Sequence, residues 1–296
     1  MKAPLLSFIC AVALLFAACS KEEAPAPKEE ARYSVTFNVN SLSHDIVPMQ
    51  SIKPGGPMMA TSSGKKLSEV ITYLDYLVYD DAGMLIFEKN SQRTDSEFGQ
   101  IKDIFGNGQY KVLVLGRRHP FYGYPEKYNN DSKLYTLGLM DEVFFEQFDL
   151  LVSDKDIELD VELKRKVGRV EIEITGKIPA EVGEIKYSIS GVSDHFIPKT
   201  NRAANKTNQT RSVYPNGDGT FSTHDSGEPL NFYFFLDEDK AAKATVTLVA
   251  FDRQQNILAI KAIENVPVAV NRKTKLRGPL FGTTGGVSGQ AFSVGF

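Results

Sequence analysis

Ile157-Glu158-Leu159-Asp160-Val161-Glu162-Leu163 alternates apolar and acidic residues without a break. After the basic run Lys164-Arg165-Lys166 the alternation resumes through Val167, Val170, Ile172 and Ile174. Successive side chains of an extended strand point to opposite faces, so a period of two reads as strands with one face on a core and one in water. The reading extends outward from there. Upstream, Tyr33, Val35, Phe37 and Val39 share a face, with Ser34, Thr36, Asn38 and Asn40 opposite. Val70 to Tyr79 reads as a strand, Asp80-Asp81-Ala82-Gly83 as its turn, and Met84 to Glu88 as the return, because Asp and Gly accept the backbone angles a hairpin needs. Tyr110 to Leu115 is a further apolar strand. Downstream, Ile185 to Ile189, Phe232-Tyr233-Phe234-Phe235-Leu236, Thr245 to Phe251 and Ile257 to Ile263 read as strands. Asn201 to Arg211 reads as a polar loop and Pro215-Asn216-Gly217-Asp218-Gly219 as a hairpin tip. Only Asp141 to Phe148, with Val143, Phe144 and Phe148 to one side, is expected to be helical. Short strands at this spacing, with no strand–helix rhythm, predict an all-β fold of antiparallel sandwiches. Val35, Phe37, Val170, Ile172, Val246 and Leu248 are expected to face the cores.

The chain is divided on this reading into residues 1–18, a signal peptide; 19–31, a tether; and two sandwiches over 32–163 and 164–296, with the boundary near residue 163. About 265 residues follow the tether, more than one typical core needs. The net charge of −3 is spread over interspersed acids and bases, which argues against nucleic acid as a partner. Trp is absent while Phe (19) and Tyr (12) are plentiful, mild evidence against a dedicated glycan platform. The two cysteines are Cys10 and Cys19. Both precede the folded part, which therefore has neither a disulfide nor a cysteine metal site.

Lys2 is followed by an apolar run from Ala3 to Ala18 interrupted mainly by Ser7. That is shorter than the ~20 apolar residues of a spanning helix, and a charged start with small residues at the end reads as a secretory signal. Leu15-Phe16-Ala17-Ala18-Cys19 resembles a lipobox, with cleavage before Cys19 and acylation of its thiol, although Phe16 stands where a small aliphatic residue is usual. Several acyl chains anchor a protein stably where one does not. Ser20 to Glu30 is rich in Pro and charge and can bury no core, so it reads as an extended tether. Ser20-Lys21-Glu22-Glu23 also resembles the acidic surface-export signal of Bacteroides-type lipoproteins, which places the protein outward on the outer membrane.

His44, His119, His195 and His224 lie far apart, read as loop or surface residues, and none has metal-ligand spacing with another. The Asp80-Asp81 and Asn216–Gly219 clusters offer oxygens but sit where hairpins need turn residues, and neither continues into a calcium loop ending in Glu. There is no Gly-x-Ser-x-Gly elbow, and a cysteine nucleophile is excluded in the mature chain. No catalytic, metal or cofactor site is expected, and the chain reads as a non-enzyme.

The carboxyl end is the most informative segment. After Arg277-Gly278-Pro279-Leu280-Phe281 comes a Gly/Thr/Ser stretch, and then Ala291-Phe292-Ser293-Val294-Gly295-Phe296, with Phe292, Val294 and Phe296 on one face. Terminal residues fray unless tied down, and a bare apolar edge aggregates. Such a strand either closes its own sheet or fills a groove in a neighbour by strand addition.

Taken in order, the lipobox and acidic tether, the first strand Tyr33 to Val39, the hairpin Leu74 to Gly83, the crossing Val161 to Ile172 and the late run Val268-Ala269-Val270-Asn271-Arg272-Lys273-Thr274-Lys275-Leu276 resemble the fimbrillin superfamily of Bacteroides-type (type V) pili. The similarity is greatest to the lipoprotein anchor and minor-subunit branch. The resemblance implies two transthyretin-like sandwiches in tandem, other fimbrial subunits as partners, and assembly by β-strand exchange. It also implies an arginine- or lysine-directed protease that removes the first strand of stalk subunits, while anchor subunits keep theirs. Arg32 precedes the first strand, so cutting there leaves that strand in place; Arg165 and Arg169 are the other candidate processing sites. The competing reading is a surface lipoprotein that binds a glycan or host protein without polymerising.

Overall fold

The computed structural model describes residues 31–43, 47–48, 66–120, 124–135, 142–216, 221–222, 230–237, 241–282 and 289–295. Cys19, the tether, His44, His224, Gly217 to Gly219 and Phe296 lie outside the described residues. Residues up to 165 form β1 (Arg32–Ser43), β2 (Val47–Pro48), the one-turn helix α1 (Leu67–Val70), β3 (Tyr73–Tyr79), β4 (Leu85–Gln92), β5 (Gln100–Gly106), β6 (Gly108–Arg117), β7 (Leu134–Tyr135), β8 (Phe144–Val152) and β9 (Ile157–Arg165). The rest form β10 (Val167–Thr175), β11 (Val182–Val192), β12 (His195–Ile197), β13 (Arg202–Ala203), β14 (Thr207–Pro215), β15 (Phe221–Ser222), β16 (Leu230–Phe235), β17 (Ala242–Asp252), β18 (Ile257–Val268), β19 (Arg272–Pro279) and β20 (Ser293–Gly295).

The fold is all β, and the two halves repeat one topology. In the first, β5-β1-β9 and β4-β3-β6-β8 are two faces of a sandwich, joined at one corner where Phe144 and Phe145 pair Arg165 and Lys164. In the second, β16-β10-β19 and β14-β11-β17-β18 take the same places in the same order. Most pairs are antiparallel, as expected. The exceptions include the first and last long strands of each half, β1 with β9 and β10 with β19, which run parallel.

The alternating residues bury as their period requires. Val35, Phe37, Val170, Val246 and Leu248 are wholly buried and Ile172 nearly so. One apolar cluster gathers Val35, Phe37, Val39, Leu74, Tyr76, Val78, Val112, Val114 and Leu163, and a second gathers Val170, Ile185, Phe232, Phe234, Val246, Leu248 and Leu276. A third draws on both halves: Leu77, Tyr79, Leu113, Leu115 and Phe145 meet Val167, Phe196, Tyr233 and Phe235. The small sheet β13-β12-β7 ties the halves again, with Phe196 paired to Leu134. Strands β3, β6 and β16 thus bury both faces over much of their length, which is why Tyr76 to Tyr79, Val112 to Leu115 and Phe232 to Phe235 are apolar runs rather than alternations.

Three expectations are corrected. The expected helix over Asp141 to Phe148 is not seen in its described residues, 142–148: Phe144 to Val152 is β8, paired along β6, with Phe144 in the first cluster and Phe145 in the third. Two aromatic neighbours needed on opposite sides suit a pleated strand and not one helical stripe. Asn201 to Arg211 is only partly a loop, since β14 begins at Thr207 and turns Gln209, Arg211 and Val213 inward. Val70 closes α1, and the strand begins at Tyr73.

Candidate functional site

The first strand occupies the middle of its sheet. β1 pairs β5 on one edge and β9 on the other, and its inward residues Val35, Phe37 and Val39 are at most 2% exposed. Phe37 packs its ring 5.3 Å from that of Tyr76 and 5.6 Å from that of Phe148. Its outward face is polar: Asn38 Nδ2 donates to Glu158 Oε1 (2.8 Å), Asn40 Nδ2 to Asp160 Oδ1 (2.9 Å), and the Ser34 amide to Asp156 Oδ1 (2.8 Å). Arg32 is exposed at the start of the strand, opposite Gly106.

The other two candidate arginines sit differently. Arg165 is buried; its guanidinium meets Glu142 Oε1 at 3.0 Å and lies 4.9 Å from the Phe144 ring centroid. Burial pulls its pKa below the usual arginine range, and the Glu142 carboxylate works against that shift. Arg169 pairs with Glu171 at 2.9 Å, lies over Tyr233, and belongs to a strand bonded on both edges. Between them, a Cβ on Gly168 would come within 2.4 Å of the Ala269 carbonyl oxygen, so only glycine passes there. A protease needs an exposed, unpaired segment, which Arg165 and Arg169 lack in the folded chain.

The carboxyl-terminal strand lies against its own half. β20 runs antiparallel to β19, with Arg277 opposite Ser293, Leu276 opposite Val294 and Lys275 opposite Gly295. Phe292 enters the second apolar cluster at 8% exposed, whereas Val294 is 39% exposed. Phe292 fits because position 278 carries no side chain: a Cβ there would be 2.8 Å from its ring. The tail is further held by Lys261 Nζ donating to the Gln290 carbonyl (2.7 Å) and Ser293 Oγ donating to the Arg277 carbonyl (2.9 Å). The other end of the same β19 edge receives β2 from the first half, opposite Arg272 and Lys273. The seat for Phe292 was visible in the sequence as a glycine in the apolar series Leu276, Gly278, Leu280 but was not read as one; the reach of β2 left no local signal.

The remaining candidates are structural. Asp80 and Gly83 make the expected turn, the Asp80 carboxylate accepting from the Met84 amide at 2.7 Å. His119 is exposed, but His195 lies half-buried in β12 beside Asp194, not on a loop. Among the described residues, no three His, Cys, Asp or Glu side chains converge as a metal site.

Solved structures share this architecture. A candidate adhesin from Bacteroides thetaiotaomicron superposes with a TM-score of 0.51 at 11% identity, over 92% of this chain and 97% of that one. A candidate adhesin from Bacteroides ovatus gives 0.50 at 12%, over 89% and 94%. The fimbrial anchor protein Mfa2 of Porphyromonas gingivalis gives 0.44 at 10%, over 83% and 90%. No protein-family profile matches the chain, and no curated protein matches it in sequence. The two candidate adhesins are thus alike to this chain in fold and remote from it in sequence.

Proposed function

We propose that the chain is a structural, non-enzymatic subunit of a cell-surface fimbria, an anchor or minor subunit that joins its neighbours by β-strand exchange. It is exported, cut before Cys19, acylated there and held on the outer face of the outer membrane, with residues 32–163 and 164–296 as its two sandwiches. The observation that carries the reading is β1. Its inward side chains fill the first core between β5 and β9, so a chain that keeps this strand has no vacant groove at its tethered end. Exposed Arg32 is the first residue of the strand, and processing after it leaves Tyr33 to Ser43 seated. The fold shared with two candidate adhesins supports a cell-surface location.

The test is to shear fibres from cells making the full-length chain and follow it by antibody. It is expected with the fibres and in the membrane fraction, and Cys19→Ala is expected to abolish acyl labelling and membrane retention. Recovery only as a lone membrane protein, never with fibres, would remove the fimbrial reading. Normal acylation of the Cys19→Ala chain would remove the lipoprotein reading.

A further inference from the structure

The repeat of topology lets each half serve as a reference for the other. In the second half, the edge of β19 that faces away from β10 receives β20. The corresponding edge in the first half is that of β9 facing away from β1. It is paired only at Lys164 and Arg165, where β8 meets it. Beyond that corner β8 and β9 diverge, and the edge from Ile157 to Leu163 has no second strand among the described residues. The divergence opens a cleft of about 410 Å³ floored by Phe148, Leu159 and Val161 and rimmed by Glu146, Asp149, Asp160, Glu162 and Lys164, the last paired with Glu146 at 2.8 Å. Leu159 and Phe148 are only partly buried there.

We propose that this β8–β9 seam receives the carboxyl-terminal strand of a second copy of the chain, laid antiparallel on β9 as β20 lies on β19. The inference rests on the strand-exchange reading above and adds the acceptor: a lateral edge that has no second strand among the described residues while β1 remains seated. The occupant is argued from the molecule itself. The tail is the segment that already lies on an edge of this kind, so its backbone direction suits the position. Phe292 and Val294 are apolar and two residues apart, which matches the apolar floor. No side chain after Arg277 is charged, so none of the tail's side chains is repelled by the mixed charges of the rim. Its place at home is shallow, with three residue pairs and Val294 left 39% exposed.

The test uses full-length chains in which Cys10 and Cys19 are serine. One preparation carries Ser293→Cys and a distinguishing tag. The other carries Glu158→Cys, Asp160→Cys or Glu162→Cys on β9, or Lys102→Cys on β5 as the reference for entry beside β1. All four acceptor positions are exposed, so the substitutions leave the folds intact. After mixing and mild oxidation, a disulfide between the two preparations is expected at one or more β9 positions, at least tenfold above Lys102→Cys. A bond at Lys102→Cys and none on β9 would overturn the seam while leaving strand exchange in place. No bond between copies at any position would overturn the seam and remove self-exchange with it.

Discussion

Deleting residues 287–296 separates a tail that merely rests on its own sheet from one that holds the second half together. Burying Phe292 contributes ~3 kcal/mol at most, the upper end for a large apolar side chain. The three residue pairs of β20 with β19 add about 2–4 kcal/mol, at roughly 1 kcal/mol for each backbone hydrogen bond. Against this, fixing about seven residues, 289 to 295, costs on the order of 1 kcal/mol each. The terms cancel to within a kilocalorie or so, so the tail at home is close to neutral for stability. Thermal unfolding of the full-length and truncated proteins, followed by circular dichroism, is expected to differ by a few degrees, since ~1 kcal/mol moves Tm by about 2–4 °C at 150–250 residues. Membrane attachment should be unchanged and recovery with fibres lost. A fall in Tm beyond about 10 °C would refute the reasoning, because the strand would then be an obligatory part of its own core.

Three further outcomes follow from the interior. Phe37→Ala is expected to lower stability by about 3–5 kcal/mol, read from urea midpoints, because the ring is wholly buried against Tyr76 and Phe148; a loss under 1 kcal/mol would show β1 to be dispensable. Asp75 is wholly buried and accepts from Arg117 Nε at 2.7 Å and from Asn90 Nδ2, so Asp75→Ala is expected to cost about 3–5 kcal/mol by stranding the guanidinium. The double change Asp75→Leu with Arg117→Met should recover most of that loss in the same assay. Burial pushes the Tyr128 and Tyr233 hydroxyls up to about 12 and shifts Tyr76, Tyr79 and Tyr124 in the same direction. The unfolded chain then releases these protons first, near pH 10, so the stabilisation is intact below pH 10 and lost as pH rises toward 12. Denaturant midpoints should fall across that window, with the buried tyrosines' share of the tyrosinate absorbance appearing on unfolding.

The fold was legible wherever one face of a strand meets water. Val35 and Phe37, or Val246 and Leu248, declare their side of the sheet by alternating with polar neighbours. What hid was burial on two sides. Leu77, Tyr79, Leu113 and Phe235 form a cluster shared by the halves, and a run such as Phe232 to Phe235 names a buried strand without saying what covers each face. Phe144 and Phe145 misled for the same reason, since adjacent aromatics serving two clusters imitate the patches of a helix. At the candidate site, the first strand and the terminal strand were both apparent from their patterns. The basic crossing was read for its charge alone. A guanidinium such as that of Arg165 can be taken inward when a carboxylate from a distant strand, here Glu142, meets it, and no local pattern foretells that.

The central position of β1 also decides how the molecule bears tension. A pull on the amino end reaches the folded part at Arg32 and runs along the strand axis. The hydrogen bonds to β5 and β9 lie roughly across that axis, so they are strained together in shear and cannot be opened one at a time from the end. Seven residue pairs on the β5 side and eight on the β9 side must slip in concert, with Phe37 and Val35 dragged through the core as they go. Forced extraction is governed by an unfolding rate rather than by equilibrium stability. A strand clamped on both edges makes that rate slow, so the first sandwich holds its amino-terminal strand under moderate force.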